Sequence, residues 1–170
     1  MQKEILFISG LGGTGKSSLV WHFWEHPVPG FRFFDFDFGK YKIPPYGEDH
    51  LEWRTKMTKW WLAVGEAECS VQGNVPVIVG QSLFPRQILA LDEAAPFAGH
   101  VGFGHLLCAP EERKVRLEAR GDGHHWGGHK DWYDAFFAEM AAVGAREFDT
   151  THRTIKEVAG EVVGWLKEQE

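Results

Sequence analysis

Gly10 to Ser17 reads GLGGTGKS, directly behind the apolar run EILFIS (Glu4 to Ser9) and at the head of a helical pattern running from about Gly15 to Trp24. The eight residues fill every fixed position of GxxxxGK[ST]. In a chain this rich in glycine, a chance match has a probability on the order of 1 to 2%. The flanking order of apolar strand, glycine turn and helix is what the motif's mechanism requires. Glycines let the backbone curl so that successive N–H groups face inward, and the helix behind them offers its positive end to an anion. This predicts a phosphate cradle built from Gly10, Gly12, Gly13, Thr14 and Gly15. Lys16 would reach the β- and γ-phosphates of a nucleotide, Ser17 would ligate magnesium, and Ser18 would assist. The expected cofactors are ATP and Mg2+.

Outward from the cradle, strands and helices alternate. Pro27, Pro29 and Gly30 end the first helix, and FRFFDFDF (Phe31 to Phe38) reads as an aromatic second strand. Gly39 to Gly47 carries Pro44 and Pro45 and reads as a loop, a specificity element leading to the helix that follows. In that helix, from Glu52 onward, Trp53, Met57, Trp60, Trp61 and Val64 recur at spacings of three and four and predict one apolar face. VPVIVG (Val75 to Gly80) has the β-branched density of a strand buried on both faces, and a fourth strand is expected at about His100 to Cys108. A charged helix ending at Gly121, a mobile loop DGHHWGGHKDW, a helix over about Asp131 to Val143, a strand at Ala145 to Asp149 and a helix from about Thr154 to Lys167 follow. In the last helix Val158, Val162, Trp165 and Leu166 share a face. This order predicts a single three-layer α/β domain spanning residues 1–170 with a mainly parallel sheet.

In FDFDFG, Asp35 and Asp37 alternate with Phe34, Phe36 and Phe38, so a strand would put both carboxylates on one face. Ligands of open parallel sheets bind beyond the carboxyl ends of the strands, which directs these acids at the phosphates. Either is a candidate general base, and Asp37, nearer the strand end, is preferred for the base and for a water-mediated magnesium contact. No acid follows VPVIV, where nucleotide-binding folds commonly carry a metal-linked aspartate. Gln81 and Arg86 occupy that stretch and could read a polar or anionic substrate. Arg113, Arg116 and Arg120 lie three and four apart, and a helix would offer them as a phosphate clamp, with Arg116 and Arg120 favoured, on a lid over about residues 110–132. A solvated salt-bridged face is the alternative for such a run. His124, His125 and His129 do not follow a structural-zinc spacing. In DTTHRT (Asp149 to Thr154), an Asp or Thr suits a helix N-cap, and Arg153 could stack on adenine.

The 170 residues carry 18 Lys plus Arg against 24 Asp plus Glu, a formal net charge of -6, which argues against a nucleic-acid partner. The apolar start is too short to span a membrane, so a cytoplasmic protein without a membrane partner, monomer or homodimer, is expected. Cys69 and Cys108 follow no metal or disulfide spacing and read as buried thiols.

Taken with GLGGTGKSS, the acids of FDFDFG, the arginine helix RKVRLEARG and FDTTHRT before the terminal helix, the chain resembles the P-loop kinase group. That group includes shikimate kinase, gluconate kinase, chloramphenicol phosphotransferase and small AAA-labelled ATPases. The resemblance covers nearly the whole chain in element order. It implies a five-stranded parallel sheet, a lid, and a substrate-binding segment after the second strand. It also implies Lys16 and Ser17 as phosphate and metal contacts, Asp35 or Asp37 as base or metal-linked acid, and Arg116 or Arg120 as lid arginines. The expected activity is ATP-dependent phosphorylation of a small-molecule hydroxyl. A nucleoside or nucleotide kinase is one form of it, and a nucleotide-driven switch acting on a protein partner is the competing reading.

Overall fold

A computed structural model describes residues 3–37, 48–123 and 130–168. Among them, β1 (Ile5–Gly10), β2 (Phe31–Asp35), β3 (Val75–Val79), β4 (Val101–Leu107) and β5 (Arg146–Asp149) form one sheet in the order β2-β3-β1-β4-β5. Every neighbouring pair is parallel, with β1 at the centre; Phe7 of β1 faces Ile78 of β3 on one side and Phe103 of β4 on the other. The expected α/β sheet is present, entirely parallel.

All six residues of β1 are buried, because its side chains feed two cores in alternation. Leu6 and Ile8 pack under α1 (Lys16–Glu25) and α6 (Ile155–Lys167) with Leu19, Val20, Val162 and Leu166. Ile5 and Phe7 pack on the opposite face under α2 (Glu48–Ala67) and α5 (Lys130–Ala142), with Met57, Leu62, Phe136 and Met140. Three layers result, as continuous apolar strands require. The predicted face of α6 is buried in full. Thr154 caps that helix: its Oγ1 accepts the Glu157 backbone N–H while the Glu157 carboxylate accepts the Thr154 N–H at 2.8 Å.

Two expectations are corrected. The second strand ends at Asp35, not Phe38, and turns at residues 36–37. Phe36 is wholly buried there, its backbone N–H donates to the Val79 carbonyl at 2.8 Å, and its own carbonyl accepts the Trp61 indole N–H at 2.9 Å. A Cβ on Gly80 would stand 2.2 Å from the Cβ of Phe36, so glycine is what lets this turn close on the end of β3. Trp60 leaves the predicted apolar face: it is 48% exposed, while Met57 and Trp61 are buried. Between β3 and β4 the chain forms α3 (Pro85–Leu89) and a 3-10 helix (Asp92–Phe97), and a π-helical turn (Glu68–Gln72) ends α2; none is anticipated by periodicity, since none exceeds two helical turns.

The charged helix is α4 (Pro110–Ala119), with Pro110 in its first turn and Gly121 closing it at φ 79°. The loop at Gly39 to Gly47 and the histidines His124, His125 and His129 lie outside the described residues. The two cysteines are unpaired and half-buried. No described helix is long and apolar enough to cross a membrane.

Candidate active site

The loop between β1 and α1 is held from both sides. Thr14 is buried, and its hydroxyl donates to the Leu11 carbonyl at 2.9 Å, so it locks the loop rather than lining the cavity. Gly13 and Gly15 sit at φ 85° and 96°, a region that disfavours any side chain. A Cβ on Gly13 would also meet the Cγ of Arg113 at 2.9 Å, so glycine lets α4 close over the loop. Gly15 stands at the N-cap of the ten-residue helix α1 without a side-chain cap, and Lys16, Ser17 and Ser18 of its first turn line the cavity.

Lys16 reaches back along this loop, its Nζ donating to the Gly10 and Leu11 carbonyls at 2.8 Å each. Burial pushes its pKa down to about 8; Asp37 opposes that shift, and Arg120 adds to it. Asp37 faces the cavity from the turn after β2. Loss of solvent raises its pKa, and the Lys16 ammonium pulls it back. The two aspartates do not share a strand face: the Asp37 backbone N–H donates to Asp35 Oδ1 at 3.0 Å, so Asp35 holds the turn that presents Asp37.

These groups border a cavity of about 660 Å³. Gly12, Gly13, Gly15, Lys16, Ser17 and Ser18 line its floor; Asp37 and Gln81 its strand end; Arg113, Leu117, Arg120 and Asp122 the α4 side; and His50, Leu51, Trp53, Arg54, Trp132 and Tyr133 the α2 and α5 side. A cavity of this size falls within the range of small-molecule and cofactor sites. The Ser17 hydroxyl and the Asp37 carboxylate are hard oxygen donors on its wall, the donor chemistry that magnesium takes. No group of three or more acidic, histidine or cysteine ligands is assembled among the described residues. That fits an ion which draws most of its ligands from phosphate and water.

Of the three arginines of α4, Arg113 and Arg120 line the cavity. Arg116 turns away: its guanidinium donates to the Thr150 carbonyl at 2.7 Å, to Thr150 Oγ1 at 3.1 Å and to Glu112 at 2.5 Å, tying α4 to the loop after β5. Gly10 ends β1, with its carbonyl bound to Lys16. Arg86 sits exposed on α3, outside the cavity wall. Arg153 also lies outside it, bridging Glu161 at 2.9 Å and the Asp149 carbonyl at 3.2 Å.

Arg54 was not distinguished by the motif reading. It is 7% exposed, lies beside His50 at 2.6 Å, and places its guanidinium 5.6 Å from the centre of the Trp132 ring. A signal was present: Arg54, Met57 and Trp61 follow the three-and-four spacing of the buried face, and an arginine on an apolar stripe marks a charge taken out of water for a reason.

No family model matches the chain, and no curated protein matches it. Solved structures do. A tunicamycin resistance protein from Deinococcus radiodurans is 18% identical, with a TM-score of 0.60 over 96% of this chain and 95% of that one. The fold is that of the P-loop small-molecule kinases. A gluconokinase from Sinorhizobium meliloti (20% identical, TM-score 0.54, covering 98% and 93%) and a shikimate kinase from Aquifex aeolicus (18%, 0.55, 96% and 96%) share it. In this P-loop kinase fold the loop Gly10–Ser17 stands at the carboxyl end of the central strand, where the strand order reverses.

Proposed function

We propose that the protein transfers the γ-phosphoryl group of ATP to a hydroxyl of a small-molecule acceptor. One observation carries the reading: Lys16 of the glycine loop and Asp37 of the next strand end line one cavity and shift each other's proton affinity. Phosphoryl transfer needs a cation on the migrating group and a base on the incoming oxygen, both held in place beforehand.

Lys16 and the N–H groups of the loop would take the β- and γ-phosphates, with Arg113 and Arg120 countering the charge that spreads over the migrating group. Ser17 would hold magnesium directly and Asp37 through a water, and the ion would neutralise phosphate charge when bound. Asp37 has a second task. Its place on the cavity wall, on a turn fixed by Asp35, suits it to accept the acceptor's hydroxyl proton as the new O–P bond forms and the bond to ADP breaks. Asp35 acts through Asp37 as a positioning residue.

The test is magnesium-dependent ADP release, wild type against Lys16→Ala, with single acceptors from a panel of hydroxy acids, sugars, nucleosides, nucleotides and aminoglycosides. Stimulation by one class, lost by about a hundred- to a thousandfold in the variant, is expected, since the lysine acts where charge develops. Nucleotide binding with no stimulation by any acceptor would favour a nucleotide switch and sink the kinase reading.

A further inference from the structure

A pair of metal-ligating side chains stands at the end of α1 opposite the glycine loop. His22 and His26 lie one turn apart in HFWEH, where the helix ends at Glu25 and His26 is its C-cap. The His26 backbone N–H donates to the His22 carbonyl at 2.8 Å, so the last turn is closed and both side chains leave it on one side. Their ring centroids are 4.8 Å apart, with the planes inclined by 55°. His22 is half-buried and His26 exposed, and among the described residues neither ring makes a hydrogen bond or an ion pair. Neither histidine lines the active-site cavity.

We propose that His22 and His26 together chelate a divalent transition-metal ion of the zinc type, with water completing its coordination. The spacing of the rings carries the assignment. With metal–nitrogen bonds of about 2.0 to 2.1 Å, two imidazoles on one ion have centroids about 4.5 Å apart at right-angled coordination and about 5.2 Å apart at tetrahedral coordination. The observed 4.8 Å falls between these limits, so the pair is arranged for an ion before one binds. Position adds to this: a cation at a helix C-terminus meets the unpaired carbonyl end of the dipole. Of the charged side chains acting on His22, Glu25 favours a cation and Lys156 of α6 opposes it. Imidazole donors select zinc, nickel or copper and leave magnesium, which takes oxygen, to the active site. The order H-x-x-E-H is also one that zinc hydrolases use to bring two histidines onto one helix face. Here no third side-chain ligand is assembled among the described residues, so the site binds an ion without the enclosed cavity that hydrolysis would need. The assignment shares no residue with the phosphotransfer reading and does not depend on it.

The experiment is calorimetric titration of zinc chloride into the whole chain, in a non-chelating buffer with excess magnesium to fill oxygen sites. One equivalent of zinc should bind to the wild type. The chain holds nine histidines, so the variants decide where. His22→Gln and His26→Gln should each weaken binding by at least about tenfold, the lower bound that even outer partners of a metal site are worth. The urea midpoint without metal reports that each variant is folded. The paramagnetic resonance spectrum of the copper-loaded wild type should show two imidazole nitrogens on the ion, and that of each variant one. Absence of zinc binding, unchanged affinity in both variants, loss in only one of them, or a single nitrogen on copper in the wild type would each overturn the chelate.

Discussion

Lys16 is a residue whose charge the apo fold resists. Burial holds its pKa at about 8, well below the model-peptide value of 10.5, so between those values the folded protein binds fewer protons at this site than the unfolded chain. Stability from this group therefore rises as pH rises from about 8 toward 10.5. A bound polyphosphate reverses the cause, because an opposite charge favours the ammonium. Nucleotide binding above about pH 8 should then take up a proton. Calorimetry of ADP binding at pH 8.5 in buffers of differing ionisation enthalpy should give proton uptake of roughly half to one per site, absent in Lys16→Met. Uptake that persists in the variant would assign the proton elsewhere.

At the scale of elements, α4 does two jobs with one charge run. Arg113 and Arg120 face the cavity, and Arg116 braces the helix against Thr150 and Glu112, with a weak contact to the Gly13 carbonyl at 3.5 Å. Arg116→Ala should destabilise the protein by about 1.5 to 3 kcal/mol, the worth of charge-assisted hydrogen bonds in a partly buried site. Arg120→Ala, at a side chain 55% exposed and paired with Asp122, should leave the urea midpoint nearly unchanged while slowing phosphoryl transfer. Equal stability of the two variants would refute this division. Spacing alone places arginines three and four apart on one side, but 113 and 120 are seven apart and superpose more closely than 116 does with either. The strands and long helices were legible because periodicity reports burial, and the glycine loop because its chemistry fixes its residue types. The acids of FDFDFG were legible as a pair but not in their arrangement. Whether Asp37 continues the strand or leaves it depends on the contact of Phe36 with Gly80 and Trp61, residues 44 and 25 positions away along the chain. Arg54 was legible as a charge on the buried stripe of α2 but not in its surroundings: its neighbour Trp132 belongs to α5, and no local pattern joins them.

For the molecule as a whole, the parallel sheet forces polar groups near the site into dry surroundings. His105 lies on β4, opposite Ser9 of β1, 2% exposed and packed against Phe136 and Phe137 of α5. Its Nε2 is buried without a hydrogen-bond partner among the described residues, and burial pushes its pKa down to about 4. The unfolded chain regains an ordinary imidazole near 6.5. Below that pH the unfolded state takes up a proton that the folded state refuses, so stability falls with pH from about 6.5 down to about 4 and levels off for this group below it. Asp37 works in the opposite direction: its raised pKa means that the folded form holds its proton more readily, which favours the fold in acid and partly offsets His105. The contribution of His105 is therefore read against a variant that lacks it and keeps Asp37. Urea unfolding of wild type and His105→Leu at pH 7.5, 6, 5 and 4.5 should show the variant losing less stability across the series. The difference between the two should grow by about 1.4 kcal/mol per pH unit once both the wild-type states are well inside the window. Parallel pH profiles would mean that His105 is solvated or protonated in the fold.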